Sequence, residues 1–244
     1  MSLINVNKAT AANSRSLQST PSSTSNWREI MRVVVVLFKL RIVFLLLVAA
    51  TGGAFMAAQG WPGVSTLLLT WVTGGMAAAG ASALNQYIER ESDKSMGRTS
   101  KRPLVTGAIT QPTWVPYVAI ALIAIPSLAV LPFNPPLTFF LVLGAIIYVV
   151  IYTIWLKPRT LLNIVIGGAA GSAAVLSGSA AAGAWNDTGA LVLALILFLW
   201  TPFHFWSLAL LYRDDYAKAD VPMLPVNTSP RMAAWWVMSH TVTT

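Results

Sequence analysis

Apolar residues dominate the chain in long uninterrupted runs, and the polar positions are gathered between them. A hydrocarbon core about 30 Å thick needs roughly 20 apolar residues of helix. Six such runs stand out, at approximately 33–58, 64–88, 113–132, 137–156, 161–183 and 189–212, and the start of a seventh lies near 230. Short breaks rich in Pro, Gly and Asn separate them, at "GWPG" 60–63, "PFNPP" 132–136, "KPRT" 157–160 and "AWNDTG" 184–189. The expected architecture is therefore all-α, a polytopic bundle of membrane-spanning helices. Spans two and five are rich in Gly, Ala and Ser, "GGMAAAGASA" and "GGAAGSAAVLSGSAAAG", and small side chains let helices approach closely in lipid. These two are expected to be central.

Composition agrees with the pattern: of 244 residues, 56% are hydrophobic and only 10% charged. There is no cysteine, which excludes disulfides, thiolate metal ligation and cysteine nucleophiles. Residues 1–27 carry no apolar run and are rich in Ser, Thr and Asn, so a disordered N-terminal tail is expected, with 28–244 forming the transmembrane domain. The tail lacks the short apolar segment of a secretory signal. It shares the Ser-rich, acid-poor character of a mitochondrial transit peptide loosely, and the reading adopted is a cytoplasmic tail in a bacterial or archaeal plasma membrane. The alternative location is the mitochondrial inner membrane.

The charges then orient the chain. All 16 Lys and Arg fall in the N-terminal segment or after spans two, four and six, whereas the other loops hold one charge, Asp187. The positive-inside rule places the N-terminus and the even-numbered loops on the cytoplasmic side. The net charge of +8 is a matter of topology rather than of nucleic-acid binding. Lys39 and Arg41, near the start of span one, are expected to snorkel to the interface.

Two of the cytoplasmic loops carry more chemistry than a connection needs. Asn85, Glu89 and Asp93 recur every four residues and would share one face of a helix continuing out of span two. Three oxygen-bearing side chains suit a hard cation such as Mg²⁺, which keeps water or phosphate oxygens in its remaining positions. Arg98, Thr99, Lys101 and Arg102 follow, donors suited to a phosphate group. The competing reading is a solvated helix end with acids and bases paired along it. After span six, "YRDDYAKADVPMLPV" repeats the theme with Asp214 and Asp215 beside Arg213 and Lys218, on the same side of the membrane. Two carboxylate clusters facing each other there would suit a Mg²⁺-bound diphosphate whose apolar tail enters the bundle.

These blocks, the Asn85–Glu89–Asp93 pattern with "KRPL", then "LKPRTLLNIVIGGAAG", then "LFLWTPFHFWSLALLYRDDYAKADVPMLPV", resemble the protohaem IX farnesyltransferases (haem O synthases) of the UbiA superfamily of intramembrane prenyltransferases. The resemblance spans about residues 36–232. It implies a nine-helix bundle, of which about seven helices are present, so that the chain is expected to be C-terminally truncated. It also implies transfer of a farnesyl group from farnesyl diphosphate to a vinyl group of haem B, yielding haem O, with Mg²⁺ held by Asn85, Glu89, Asp93, Asp214 and Asp215. Arg98, Thr99, Lys101, Arg102, Arg213 and Lys218 would grip the diphosphate. Tyr87, Tyr148, Tyr152 and Trp206 are candidates for contact with the prenyl chain or haem, and His204 for contact with haem. A downstream haem A synthase is an implied partner besides the bilayer.

Four positions depart from the family pattern. Glu89 replaces the usual Asp, "KLR" 39–41 replaces "KPR", "SAAV" 172–175 replaces paired prolines, and Asp220 replaces a glycine. Two alternatives remain open at this point: a UbiA-type enzyme acting on a quinone precursor or other ring, and a secondary transporter. The scarcity of ionisable residues within the spans argues against the transporter.

Overall fold

The computed structural model describes residues 23–244, and the first 22 residues of the expected tail lie outside it. Among the described residues six helices are long and apolar enough to cross a membrane: Leu40–Ala57, Val64–Glu89, Pro112–Val130, Pro135–Leu156, Asn163–Ala181 and Thr188–Leu211. They correspond one for one to the expected spans and are called spans one to six. The seventh segment is the helix Pro230–Thr243, 14 residues long, which packs against span six.

Span one differs from expectation. A helix over Ser23–Leu37 takes in residues 23–27 of the expected tail and also the first residues assigned to the span. It ends before Lys39, which adopts a left-handed conformation at φ 48°, and span one starts afresh at Leu40. Leu40 stands where the family pattern has proline. It is the first residue of the new helix, a position at which proline's missing N–H is not felt.

Local chemistry sets the other starts. Asn134 Oδ1 accepts from the Leu137 amide at 3.0 Å, Asp187 Oδ1 from Ala190 at 2.8 Å and Ser229 Oγ from Met232 at 3.2 Å, each answering an orphan donor of a first helical turn. Span four is α-helical only to Ile146; Ile147–Leu156 is π-helical. Longer π stretches are rare and tend to mark functional sites.

Spans two and five are indeed the most buried of the six. Span five crosses span one so closely that a methyl group on Gly178 would run into the Ala50 carbonyl, and one on Gly53 into the Val175 carbonyl. Gly80 of span two meets span three in the same way, at the Ala119 carbonyl. Backbone contact of this kind is how helices associate where lipid removes the hydrophobic drive between them. Of the replaced residues 172–175, Ser172 Oγ donates to the Ala194 carbonyl of span six at 2.8 Å, and Val175 is fully buried against span one. Outward faces carry the exposed apolar side chains of a lipid-facing surface, among them Phe44, Leu45, Ile120, Leu128 and Leu195.

Candidate active site

The loops after spans two, four and six converge at one end of the bundle. Met96 of the first of these loops, Ile164 at the start of span five, and Tyr216, Val221 and Met223 of the last form one buried cluster. Asn163, fully buried, donates through Nδ2 to the Thr160 carbonyl at 2.7 Å and the Pro222 carbonyl at 3.0 Å, tying the second loop to the third. This knitting brings the two acidic motifs together across more than 100 residues of sequence.

Asn85, Glu89 and Asp93 are all buried: the first two lie on the last turns of span two, the third in the 3₁₀ turn Ser92–Ser95. Each is met by a different cation. Lys39 Nζ donates to Asn85 Oδ1 at 2.5 Å, Lys157 Nζ pairs with Glu89 Oε1 at 2.5 Å, and Arg102 pairs with Asp93 Oδ2 at 2.5 Å. Arg102 also lies 3.8 Å from Glu89 Oε2. Asp215 of the second motif faces the same loop, and a methyl group on Gly97 would touch its carboxylate at 3.3 Å.

Two of the three cations escape the sequence reading. Lys157 reads there as ordinary inside-facing charge in a break, yet it closes an ion pair 68 residues away. Lys39, expected to snorkel to the interface, turns inward to Asn85 and to the Tyr148 hydroxyl, 2.9 Å away. Loss of hydration and the neighbouring Arg102 guanidinium lower the Lys39 ammonium to about 7.

The π-helical turn arranges the aromatic side of the site. Five-residue spacing puts the Lys157 amide on the Tyr152 carbonyl and the Thr153 hydroxyl on the Tyr148 carbonyl, both at 2.8 Å. Tyr148 and Tyr152 then stack at 5.9 Å with planes 9° apart. Lys39 lies over the first ring and Lys157 over the second. Asn85 Nδ2 completes the network by donating to Thr153 Oγ1 at 3.0 Å.

The remaining candidates are dispersed. Arg98 bonds the Tyr216 hydroxyl at 3.2 Å and lies over Tyr212, spanning the two motif loops. Thr99 is buried with its hydroxyl on the Asp93 carbonyl at 3.0 Å, so it braces the loop rather than presenting a free donor. Lys101 is exposed. Asp214 and Lys218 line an open depression beside Asp215, while Arg213 reaches the Thr228 carbonyl at 3.3 Å. Tyr87 turns toward Arg90 and the cluster of Leu37, Ala83 and Val115, on a different face from Tyr148. His204 is exposed on span six and stacked on Trp200 at 4.2 Å. Trp206 is buried, its indole N–H lacks a partner among the described residues, and the edge of His240 lies 5.1 Å away.

The UbiA prenyltransferase family matches residues 45–244. The chain belongs to the UbiA prenyltransferase family. Among its relatives are a protoheme IX farnesyltransferase of Metallosphaera sedula, 46% identical over 81% of this chain and 70% of that protein, and protoheme IX farnesyltransferase 1 of Paramagnetospirillum magneticum, 44% identical over 86% and 74%. The fold is similar to a UbiA homolog from Archaeoglobus fulgidus bound to DMAPP and Mg²⁺, with a TM-score of 0.69 at 18% identity over 86% of this chain and 74% of that one. This UbiA-family prenyltransferase is an integral membrane protein, and its buried carboxylates Glu89 and Asp93 lie at one end of the bundle rather than at mid-membrane as a transporter's would.

Proposed function

We propose that this chain transfers the farnesyl group of farnesyl diphosphate to a vinyl group of haem B, giving haem O and pyrophosphate. The observation that carries the reading is the burial of Asn85, Glu89 and Asp93 at the end of an apolar bundle, with Asp215 of the second motif facing the same loop at Gly97, in a chain 44–46% identical to protoheme IX farnesyltransferases. In the overall change the allylic C–O bond breaks, a C–C bond forms to the vinyl group, and water adds to the neighbouring carbon with loss of a proton.

The donor set fits Mg²⁺: Asn85, Glu89, Asp93, Asp214 and Asp215 offer oxygen alone. Among the described residues no group of three or more acidic or histidine side chains is drawn together as a metal site, so these residues would hold Mg²⁺ only together with phosphate oxygens of the substrate. Bound there, Mg²⁺ would neutralise charge developing on the departing pyrophosphate.

The protein's own cations act on the same charge. Arg102, Lys157 and Lys39 already line the acidic side chains, and Arg98 lies at the seam of the two loops. Each can donate to a phosphate oxygen as the C–O bond lengthens, an interaction that strengthens toward the transition state. The stacked faces of Tyr148 and Tyr152 stand on the bundle side of these cations, suited to shelter an allylic cation from water. The positive-inside rule applied to the basic loops supports a cytoplasmic side for this end and for the N-terminus.

The test is production of haem O, read by mass spectrometry, from membranes containing the protein supplied with haem B, Mg²⁺ and farnesyl diphosphate. Prenylation of another ring in place of haem would overturn the acceptor assignment.

A further inference from the structure

The break before span one has a built-in support. In a continuous helix the Val36 and Leu37 carbonyls would accept from the amides four residues on, those of Leu40 and Arg41. The left-handed turn at Lys39 interrupts that ladder, and the Lys39 amide bonds back only to Val36, at 3.2 Å. Gln86, almost fully buried, donates through Nε2 to both affected carbonyls, Val36 at 2.5 Å and Leu37 at 2.9 Å.

Its own carbonyl, Oε1, has no partner among the described residues. A buried amide left half-satisfied in this way is a cost tolerated for what its other half does. Gln86 is adjacent to Asn85, so one short stretch of span two both supports the break and receives the Lys39 side chain that the break turns inward. Lys157 and Arg102 are held by carboxylates. Lys39 bonds only the neutral Asn85 and Tyr148, and it takes part in no ion pair among the described residues.

We infer that Gln86 is a positioning residue of the site: it holds the interruption of the first span, and thereby fixes Lys39 where its charge is available to the anionic substrate. This rests on the prenyl-diphosphate reading above. A packing role alone would make Gln86 matter equally with or without the lysine, whereas a positioning role makes its effect depend on Lys39.

The experiment measures equilibrium binding of farnesyl diphosphate with Mg²⁺, without haem, to the protein in nanodiscs, for wild type, Gln86→Met, Lys39→Met and the double variant. Lys39→Met is expected to weaken binding roughly 10- to 100-fold, the size of one charge-assisted hydrogen bond. Gln86→Met is expected to weaken it comparably, and to add less than about twofold once Lys39 is gone. Equal losses from Gln86→Met in both backgrounds, or wild-type binding by either single variant, would overturn the inference. No Mg²⁺-dependent binding by the wild type would instead sink the prenyl-diphosphate reading itself. If Gln86→Met is not monodisperse, Gln86→Asn takes its place in the same cycle, since it withdraws the amide by one methylene while keeping its polarity.

Discussion

Replacing Lys157 by Met tests the ion pair at the centre of the site. The substitution keeps the stem of the side chain and removes its charge, leaving Glu89 only 7% exposed and without its partner at 2.5 Å. Breaking a buried pair from one side costs about 3–5 kcal/mol, because the remaining charge is stranded. Arg102 remains 3.8 Å from the other Glu89 oxygen, but it is committed to Asp93 at 2.5 Å, so the expected loss is near the lower end, about 3 kcal/mol. For a chain of this size that corresponds to a fall in Tm of roughly 6–12 °C. The measurement is thermal unfolding in nanodiscs followed by tryptophan fluorescence, with EDTA present so that no metal substitutes for the lysine. Adding Glu89→Gln to Lys157→Met is expected to recover most of the loss, since it removes the stranded charge. Lys157→Met within about 0.5 kcal/mol of wild type would refute the reasoning, because that is the scale of a surface substitution.

Other predictions follow from the same contacts. Glu89→Asp shortens the reach to Lys157 and should destabilise the EDTA-treated protein by about 1 kcal/mol, measured in the same unfolding assay. Gly178→Ala drives a methyl group into the Ala50 carbonyl and should lower stability by about 1–3 kcal/mol, with Gly53→Ala behaving alike. Asp220 sits at φ 51° where the family pattern has glycine, so Asp220→Gly should leave stability unchanged or raise it by up to about 1 kcal/mol. Asp93→Asn should reduce haem O formation roughly 100-fold or more, and EDTA should abolish it reversibly on return of Mg²⁺.

The existence and order of the six spans were legible in the sequence because lipid makes a local demand. Every backbone group must bond within its own helix, so each crossing announces itself as an apolar run of fixed length. The four-residue spacing of Asn85, Glu89 and Asp93, and the charge asymmetry between loops, were legible for the same reason. Partnership was not local. Lys157 reaches Glu89 across 68 residues, Lys39 reaches Tyr148 across 109, and both contacts depend on interruptions that no apolar count reveals. One is the left-handed turn at Lys39, the other the π-helical stretch that aligns Tyr148, Tyr152 and Lys157 on one face. Each helix's own orientation likewise leaves His204 on the exposed side of span six, Tyr87 away from the tyrosine stack and Arg213 toward Thr228. Composition and periodicity therefore determined that this chain spans a membrane and which loops hold its charge. Which cation neutralises which side chain was decided by helix rotation, a property of packed backbones such as Gly178 against Ala50 rather than of any single segment.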